Sequence, residues 1–212
     1  MHGIPGSIND TEPNDIAESV KTLGLKYVVV TSVTRDDLTD GGANIFYETV
    51  QAIRGVNQEC TIELLIPDFK ADEAAIQKVI DAAPDVINHN IEVVEDLFPL
   101  IRPQGSYRRS LEVLKTLKTK GRTIPTKSGL MVGLGESTEQ ILATLHDLRD
   151  ARVDFLTIGQ YLQPTRNHAL VKKYYTPEEF LELKTTALQL GFAHVESGPL
   201  VRSSYHAQNA LQ

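Results

Sequence analysis

The chain has 212 residues, with 21 Lys and Arg against 28 Asp and Glu, a formal net charge of −7 and one cysteine. That length suits one domain with a real core, and the acidic balance argues against a nucleic-acid-binding surface as its main business. Cys60 alone excludes an internal disulfide framework and any cysteine-only metal site built from this chain, and it points to a reducing compartment.

Met1 to Asp10 is rich in Gly, Pro and Asn and reads as a loop. Met1 to Pro5 has neither the basic start nor the apolar core of a secretion signal. Glu12 to Leu23 reads as a helix, with Pro13 near its first position and Ile16, Val20 and Leu23 on one face, stopped by Gly24. Lys26 to Ser32 is a β-branched apolar run, as in a strand covered on both faces. The polar loop Thr34 to Gly42 follows, then a helix to about Arg54. The unit repeats: strand Thr61 to Ile66, helix Asp72 to Ala83, strand Val86 to Asn90, then helices Val94 to Leu100 and Tyr107 to Lys120. A strand then runs from Thr126 into the glycine loop Gly133-Leu134-Gly135-Glu136. Ser137 and Gln140 form a capping box that opens a helix to Arg152. Phe155 to Tyr161 is a strand, and Thr176-Pro177-Glu178-Glu179 is a second capping box opening a helix that Gly191 ends. Ala193 to Ser197 is a last short strand, followed by a loop from Gly198 to Ala207.

Six strands at intervals of about 30 to 40 residues, each separated by helix, give the rhythm of a parallel sheet: either a partial barrel or an open doubly wound sheet. No run approaches the roughly 18 apolar residues that span a bilayer. The carboxyl ends of the strands carry Ser32, Asp68, Asn88, His89, Asn90, Glu92, Glu136, Gln160, Gln163, Glu196 and Ser197. In a parallel sheet these ends share one rim, where ligands bind. His89 and His194 are flanked by apolar residues and read as satisfied rim histidines, since no metal-ligand spacing exists. No P-loop, nucleophile elbow or dinucleotide fingerprint is present. Arg102 to Arg109 is locally basic and suits a carboxylate or phosphate, or a solvated loop. Lys127 is the one candidate for a lysine inside a barrel, or it pairs with Glu92 or Glu136.

The closing stretch Arg202-Ser203-Ser204-Tyr205-His206-Ala207 resembles the lipoyl synthases, which are radical S-adenosylmethionine enzymes. So do Tyr27 to Val33 with Arg35-Asp36-Asp37 and Asp40-Gly41-Gly42, Leu65 to Phe69, Asn88 to Glu92, Pro125 to Glu136 and Thr157 to Pro164. The resemblance runs from His2-Gly3 to Ala207. It implies an α/β fold, a partial (β/α)6 barrel of the radical SAM type, occupying 1–212 as a single domain. It also implies a reaction in which one 4Fe-4S cluster cleaves S-adenosylmethionine to a radical that attacks a protein-bound octanoyl chain. A second, auxiliary 4Fe-4S cluster supplies two sulfur atoms, and a lipoyl group results. The implied partners are an octanoylated carrier protein (a lipoyl domain of a 2-oxoacid dehydrogenase, or the glycine cleavage H protein) and an electron donor such as flavodoxin or ferredoxin. No nucleic acid or membrane partner is implied. The implied location is the cytoplasm, or the mitochondrion or plastid in a eukaryote. By the same resemblance Ser204 matches a serine ligand of the auxiliary cluster, with Ser203 as the adjacent alternative and Arg202 and Tyr205 in the same motif. Asp40, Gly41, Gly42, Asn90, Gly129, Gly133, Glu136 and Gln160 fall where such enzymes line S-adenosylmethionine.

The sequence departs from the family in its cysteines. The family uses six, all before the position that matches His2, and Cys60 matches none of them. A 4Fe-4S cluster is held by thiolates, so one serine does not hold one. The expectation is therefore a C-terminal part of a lipoyl synthase, without the first barrel strand and cluster loop, and inactive alone. The alternatives are a cluster-free module that docks an octanoylated carrier, and an aldolase-like or isomerase-like barrel enzyme built on Lys127.

Overall fold

The computed structural model describes residues 6–211. Residues 1–5, with the loop reading and the His2-Gly3 end of the resemblance, lie outside the described residues. Helix α1 (Glu12–Thr22) has Pro13 in its first turn, where a missing N–H costs nothing, and buries Ala17 and Val20. Strand β1 (Tyr27–Thr31), helix α2 (Ala43–Val56), strand β2 (Thr61–Leu65), helix α3 (Glu73–Asp81) and strand β3 (Val86–Asn88) follow. Next come the short helix α4 (Phe98–Ile101), helix α5 (Tyr107–Lys120), strand β4 (Thr126–Val132) and helix α6 (Thr138–Asp150). Strand β5 (Phe155–Gln160), helix α7 (Pro177–Gln189) and strand β6 (His194–Gly198) complete the alternation. Both expected capping boxes are formed: Ser137 and Thr176 each accept from the backbone N–H three residues on, and the Gln140 and Glu179 side chains reach back.

The strands make one parallel sheet in the order β1-β2-β3-β4-β5-β6. Every crossover therefore steps one strand in the same direction. With right-handed crossovers, that keeps the helices on one face. A doubly wound sheet would reverse its order part-way, so the partial barrel is the correct member of the expected pair. The sheet is not closed: among the described residues β1 pairs with β2 alone and β6 with β5 alone. The helix side holds two apolar clusters. One packs α1, α2 and α3 on β1 and β2 through Val20, Phe46, Ile53, Ile62 and Ile76. The other packs α6 and α7 on β4 and β5 through Ile141, Leu145, Leu156 and Phe180. Each such side chain contributes about 1.5–3 kcal/mol when fully buried. No helix among the described residues is long and apolar enough to cross a membrane.

Two expectations fail here, on β1 and on Lys127. β1 is not covered on both faces: only Val30 of its five residues is buried. Its apolar run is that of an edge strand whose inner face is open. The helix expected over Val94 to Leu100 is a 3-10 turn (Glu95–Leu97) followed by the four-residue α4. Phe98 keeps helical backbone and Pro99 sits in the first turn of α4, where its missing N–H costs nothing, so the stretch is helical as expected, with a 3-10 first turn. Lys127 pairs with neither Glu92 nor Glu136; its partner is Glu63.

Candidate functional site

The inner face of the sheet is polar. Glu63 on β2 and Lys127 on β4 are 0% and 2% exposed, with the ammonium nitrogen 3.0 and 3.1 Å from the two carboxylate oxygens. Tyr27 Oη on β1 donates to Glu63 at 2.7 Å and Asn88 Nδ2 on β3 donates at 2.9 Å. Four adjacent strands are thus tied through one buried carboxylate. Desolvation, then the charge of Glu63, pushes the Tyr27 phenol far above its ordinary value, so it stays a donor. Glu63 lies inside the apolar run Thr61–Leu65 and gave no separate signal in the sequence.

Above this layer β3 is interrupted. Asn88 pairs with Lys127, yet Glu92 bridges Leu130, so four steps on one chain match three on the other. One residue is extra, as in a β-bulge, a device that re-aims side chains beside functional sites. Glu92 takes φ 70°, in the left-handed region, and Ile91 N–H donates to Ser128 Oγ at 3.0 Å. Asn90 then sits on the floor made by Gly129: a Cβ there would lie 2.7 Å from Asn90 Oδ1 and 2.9 Å from Thr157 Oγ1. Asn90 Oδ1 is buried without a hydrogen-bond partner, and so is Asn88 Oδ1 one layer below. Buried acceptors of that kind are normally satisfied, so their presence marks a place for a donor-bearing ligand or water.

A cleft of about 840 Å³ opens from Asn90 across the carboxyl ends of β1 to β3, lined by Ser32, Asp68, His89, Glu92, Arg102 and Arg109 among others. Arg109 Nε binds Asp68 Oδ2 at 2.7 Å. Burial alone would raise the Asp68 carboxyl, but the Lys70 N–H and Arg109 outweigh it and hold it below the carboxylate range. Glu92 goes the other way: burial raises it, and Arg102, 3.4 Å off and half exposed, offsets only part. His89 is a satisfied histidine, as expected. Its Nδ1 lies 3.0 Å from the Ile66 carbonyl and its Nε2 3.0 Å from Ser110 Oγ. A carbonyl only accepts, so Nδ1 carries the proton and Ser110 donates to Nε2. Burial keeps the ring neutral by lowering its pKa.

The other predicted residues divide into separate groups. Glu136 accepts from the Gly133 and Leu134 N–H groups at 2.5 and 2.9 Å and from Tyr175 Oη at 3.0 Å. Gln160 donates to the Lys173 carbonyl and accepts from Tyr175 N–H, both at 3.0 Å. Gly133, with φ 109°, leaves room for the Gln160 amide and for the Lys173 carbonyl. These three residues therefore strap the segment 161–176 onto the β4 loop. Asp40 caps α2 through the Gly42 and Asn44 N–H groups at 2.9 and 2.8 Å, and Gly41 and Gly42 take φ of 62° and 89°. The Ser203–His206 turn follows β6; Ser204 is exposed, Ser203 half-buried, and the Tyr205 and His206 rings lie 4.0 Å apart. Arg202 Nη1 donates to the Val201 carbonyl at 2.7 Å. The rim is thus not one convergent face. Asn90 and Glu92 meet in the cleft, Glu136 and Gln160 hold a loop, Ser197 binds the Phe180 carbonyl and Glu196 binds His194.

A profile of the Radical SAM superfamily matches residues 2–148. Over 209 residues the chain is 56% identical to a lipoyl synthase from Shouchella clausii, covering 99% of this chain and 68% of that protein. Against a lipoyl synthase from Rubrobacter xylanophilus it is 55% identical over 212 residues, 100% of this chain and 66% of the relative. The chain belongs to the lipoyl synthase family of radical SAM proteins. It spans about two thirds of the length of these relatives. Two solved structures share the fold. Streptococcus suis SuiB bound to S-adenosylmethionine gives a TM-score of 0.69 at 12% identity, over 97% of this chain and 47% of that one. HydG, a maturase of the FeFe hydrogenase, gives 0.68 at 13%, over 98% and 53%.

The lipoyl synthase family implies S-adenosylmethionine and 4Fe-4S clusters, and the residues present fit them unequally. Asn90 Oδ1, buried and unpartnered over the glycine floor, fits a ligand that carries donors. The cluster does not fit. Cys60 is the one thiol of the 212 residues; it is buried at the amino end of β2, opposite the cleft, and burial raises its pKa. Among the described residues no group of three His, Cys, Asp or Glu side chains is placed to hold a metal.

Proposed function

We propose that this chain provides the cosubstrate-binding and substrate-facing part of a lipoyl synthase. The full-length reaction inserts two sulfur atoms into a protein-bound octanoyl group. The observation that carries the reading is the unpartnered Asn90 carbonyl above Gly129, in the lining of the cleft beside the bulged β3. In this reading Asn90, Glu92 and the Gly129 floor hold S-adenosylmethionine, whose chemistry is hydrogen-atom abstraction from an unactivated carbon. Asn90 orients it through the free acceptor. The Gly133, Glu136 and Gln160 strap, with the Asp40-Gly41-Gly42 turn, fixes the surrounding loops so that the cleft is shaped before binding. Ser204, or Ser203 beside it, with Arg202 and Tyr205, forms the tail motif toward the auxiliary cluster. With one cysteine in 212 residues, this chain lacks the set of thiolates that holds a cluster. The 212 residues act as one domain and are inactive alone. The partners are an octanoylated carrier protein and a low-potential electron donor such as flavodoxin or ferredoxin.

The test is calorimetric binding of S-adenosylhomocysteine, which needs no cluster for its ribose and adenine contacts. The expected result is saturable binding by the chain and at least a tenfold loss in Asn90→Leu, a near-isosteric change that removes the acceptor. Equal binding by both proteins would refute the assignment of Asn90.

A further inference from the structure

The chain carries a net charge of −7, but the charge is not evenly spread. No Asp or Glu occurs between Asp154 and Glu178, and none follows Glu196. The rim loops after β5 and β6 lie in these two stretches and hold Arg166, Lys172, Lys173 and Arg202, all exposed. The loops follow adjacent strands, and the second lies against β5, since the Val201 carbonyl occupies the space a side chain at Gly159 would need. Among these cations, within the described residues, Lys173 alone has an ion pair, with Glu179 at 2.6 Å. Leu170, Tyr174 and Leu200 stand beside them at 61%, 69% and 75% exposure. A surface of exposed apolar side chains interleaved with unpaired cations is a recognition surface, with charge setting the encounter and apolar contacts the affinity. It is also held in shape, because Gln160, Gly133 and Glu136 strap the first loop down, which lowers the ordering cost on binding.

We propose that the two acid-free loops, 161–176 and 199–211, form the docking surface for an acidic protein domain, the carrier of the acyl chain. This rests on the lipoyl synthase reading above, and it adds the place and the charge of the contact. Acidic groups of the carrier meet Arg166 and Lys172, its apolar surface meets Leu170, Tyr174 and Leu200, and its acyl-bearing lysine is presented to the inner face of the sheet. An anionic membrane is the weaker occupant. The exposed apolar side chains come from separate loops and not from one amphipathic helix that could lie in a membrane interface.

The experiment measures binding of the 212-residue chain to an octanoylated lipoyl domain of acidic net charge, at 50 and 300 mM salt. S-Adenosylhomocysteine binding is measured on the same preparations. Arg166→Glu/Lys172→Glu is compared with Lys21→Glu/Lys26→Glu, which makes the same charge change on exposed residues away from this rim. The expected result is binding that weakens with salt, falls roughly tenfold or more in the rim pair and stays within twofold in the control pair. The neutral pair Arg166→Gln/Lys172→Gln falls by a smaller factor and guards against misfolding, as does unchanged S-adenosylhomocysteine affinity. Equal carrier affinity in the rim and control pairs, with S-adenosylhomocysteine still bound, overturns the docking surface and leaves the family reading standing. Failure of the unsubstituted chain to bind either ligand overturns both. Binding to phosphatidylserine vesicles that the rim pair abolishes, with carrier binding untouched, assigns the surface to a membrane and overturns the proposal.

Discussion

Substituting Lys127 by Met isolates the energetic role of the buried network. The side chains are of similar volume, so no large cavity is opened and the change is electrostatic. It leaves the Glu63 carboxylate, 0% exposed, without its cation. Removing one member of a buried ion pair costs about 3–5 kcal/mol, because the remaining charge keeps its desolvation penalty. Glu63 retains two neutral donors, Tyr27 Oη at 2.7 Å and Asn88 Nδ2 at 2.9 Å, which places the expected loss near the lower end, about 3 kcal/mol. For a domain of this size that is a fall in Tm of about 6–12 °C. Equilibrium urea unfolding gives the free energy and a thermal melt gives the shift. Adding Glu63→Gln to Lys127→Met removes the stranded charge while keeping an acceptor for Tyr27 and Asn88, and is expected to restore at least half the loss. A loss under about 1 kcal/mol in the single variant, or a double variant no more stable than the single, would show that the pair is not the buried charge interaction described.

Gly129→Ala drives a methyl against the Asn90 amide and is expected to cost about 1–3 kcal/mol of stability. It should also weaken S-adenosylhomocysteine at least tenfold by calorimetry; full affinity would show that the floor is not needed. Ser137→Ala and Thr176→Ala each remove a formed capping box and should cost about 1 kcal/mol in urea unfolding. His89 is held neutral by burial, so the unfolded chain takes up a proton that the folded chain does not. Its stability contribution is complete above the ordinary histidine value of 6.5 and declines as pH falls below it. Glu92 has the opposite sign, its contribution being lost as pH rises through its raised folded value. The difference between wild type and His89→Gln from pH 7.5 to 5.5 therefore isolates the histidine, and parallel curves would contradict the assignment. Tyr175→Phe removes the hydroxyl on Glu136 and should speed hydrogen exchange in residues 172–175, with little change in Tm.

The legible parts of the fold were those set by local chemistry. Ser137 with Gln140 and Thr176 with Glu179 mark their helices because the capping partners are three residues apart. The parallel character followed from strands alternating with helices, but the choice between barrel and doubly wound sheet depends on strand order, which sequence spacing does not encode. Lys127 was visible as a candidate and its partner was not: Glu63 is 64 positions away, and the pairing depends on the register of β2 through β4. The bulge that turns Asn90 and Glu92 toward the cleft has the same origin, since an extra residue exists only relative to a paired strand. For the site, the Gly129 to Glu136 spacing and the closing Arg-Ser-Ser-Tyr motif pointed to a family. Their geometry distinguishes Asn90, with a free acceptor, from Glu136 and Gln160, whose hydrogen bonds hold a loop.

In the proposed reading this chain supplies the cosubstrate face of a lipoyl synthase but not the thiolates of a cluster. Iron and acid-labile sulfide, measured after anaerobic reconstitution and desalting, test it most directly. The expected result is neither iron nor sulfide in stoichiometric amount and no cluster absorbance. Four irons per chain with a matching spectrum would contradict it, since one buried thiol at the amino end of β2 would then have to be part of a ligand set that the fold does not assemble.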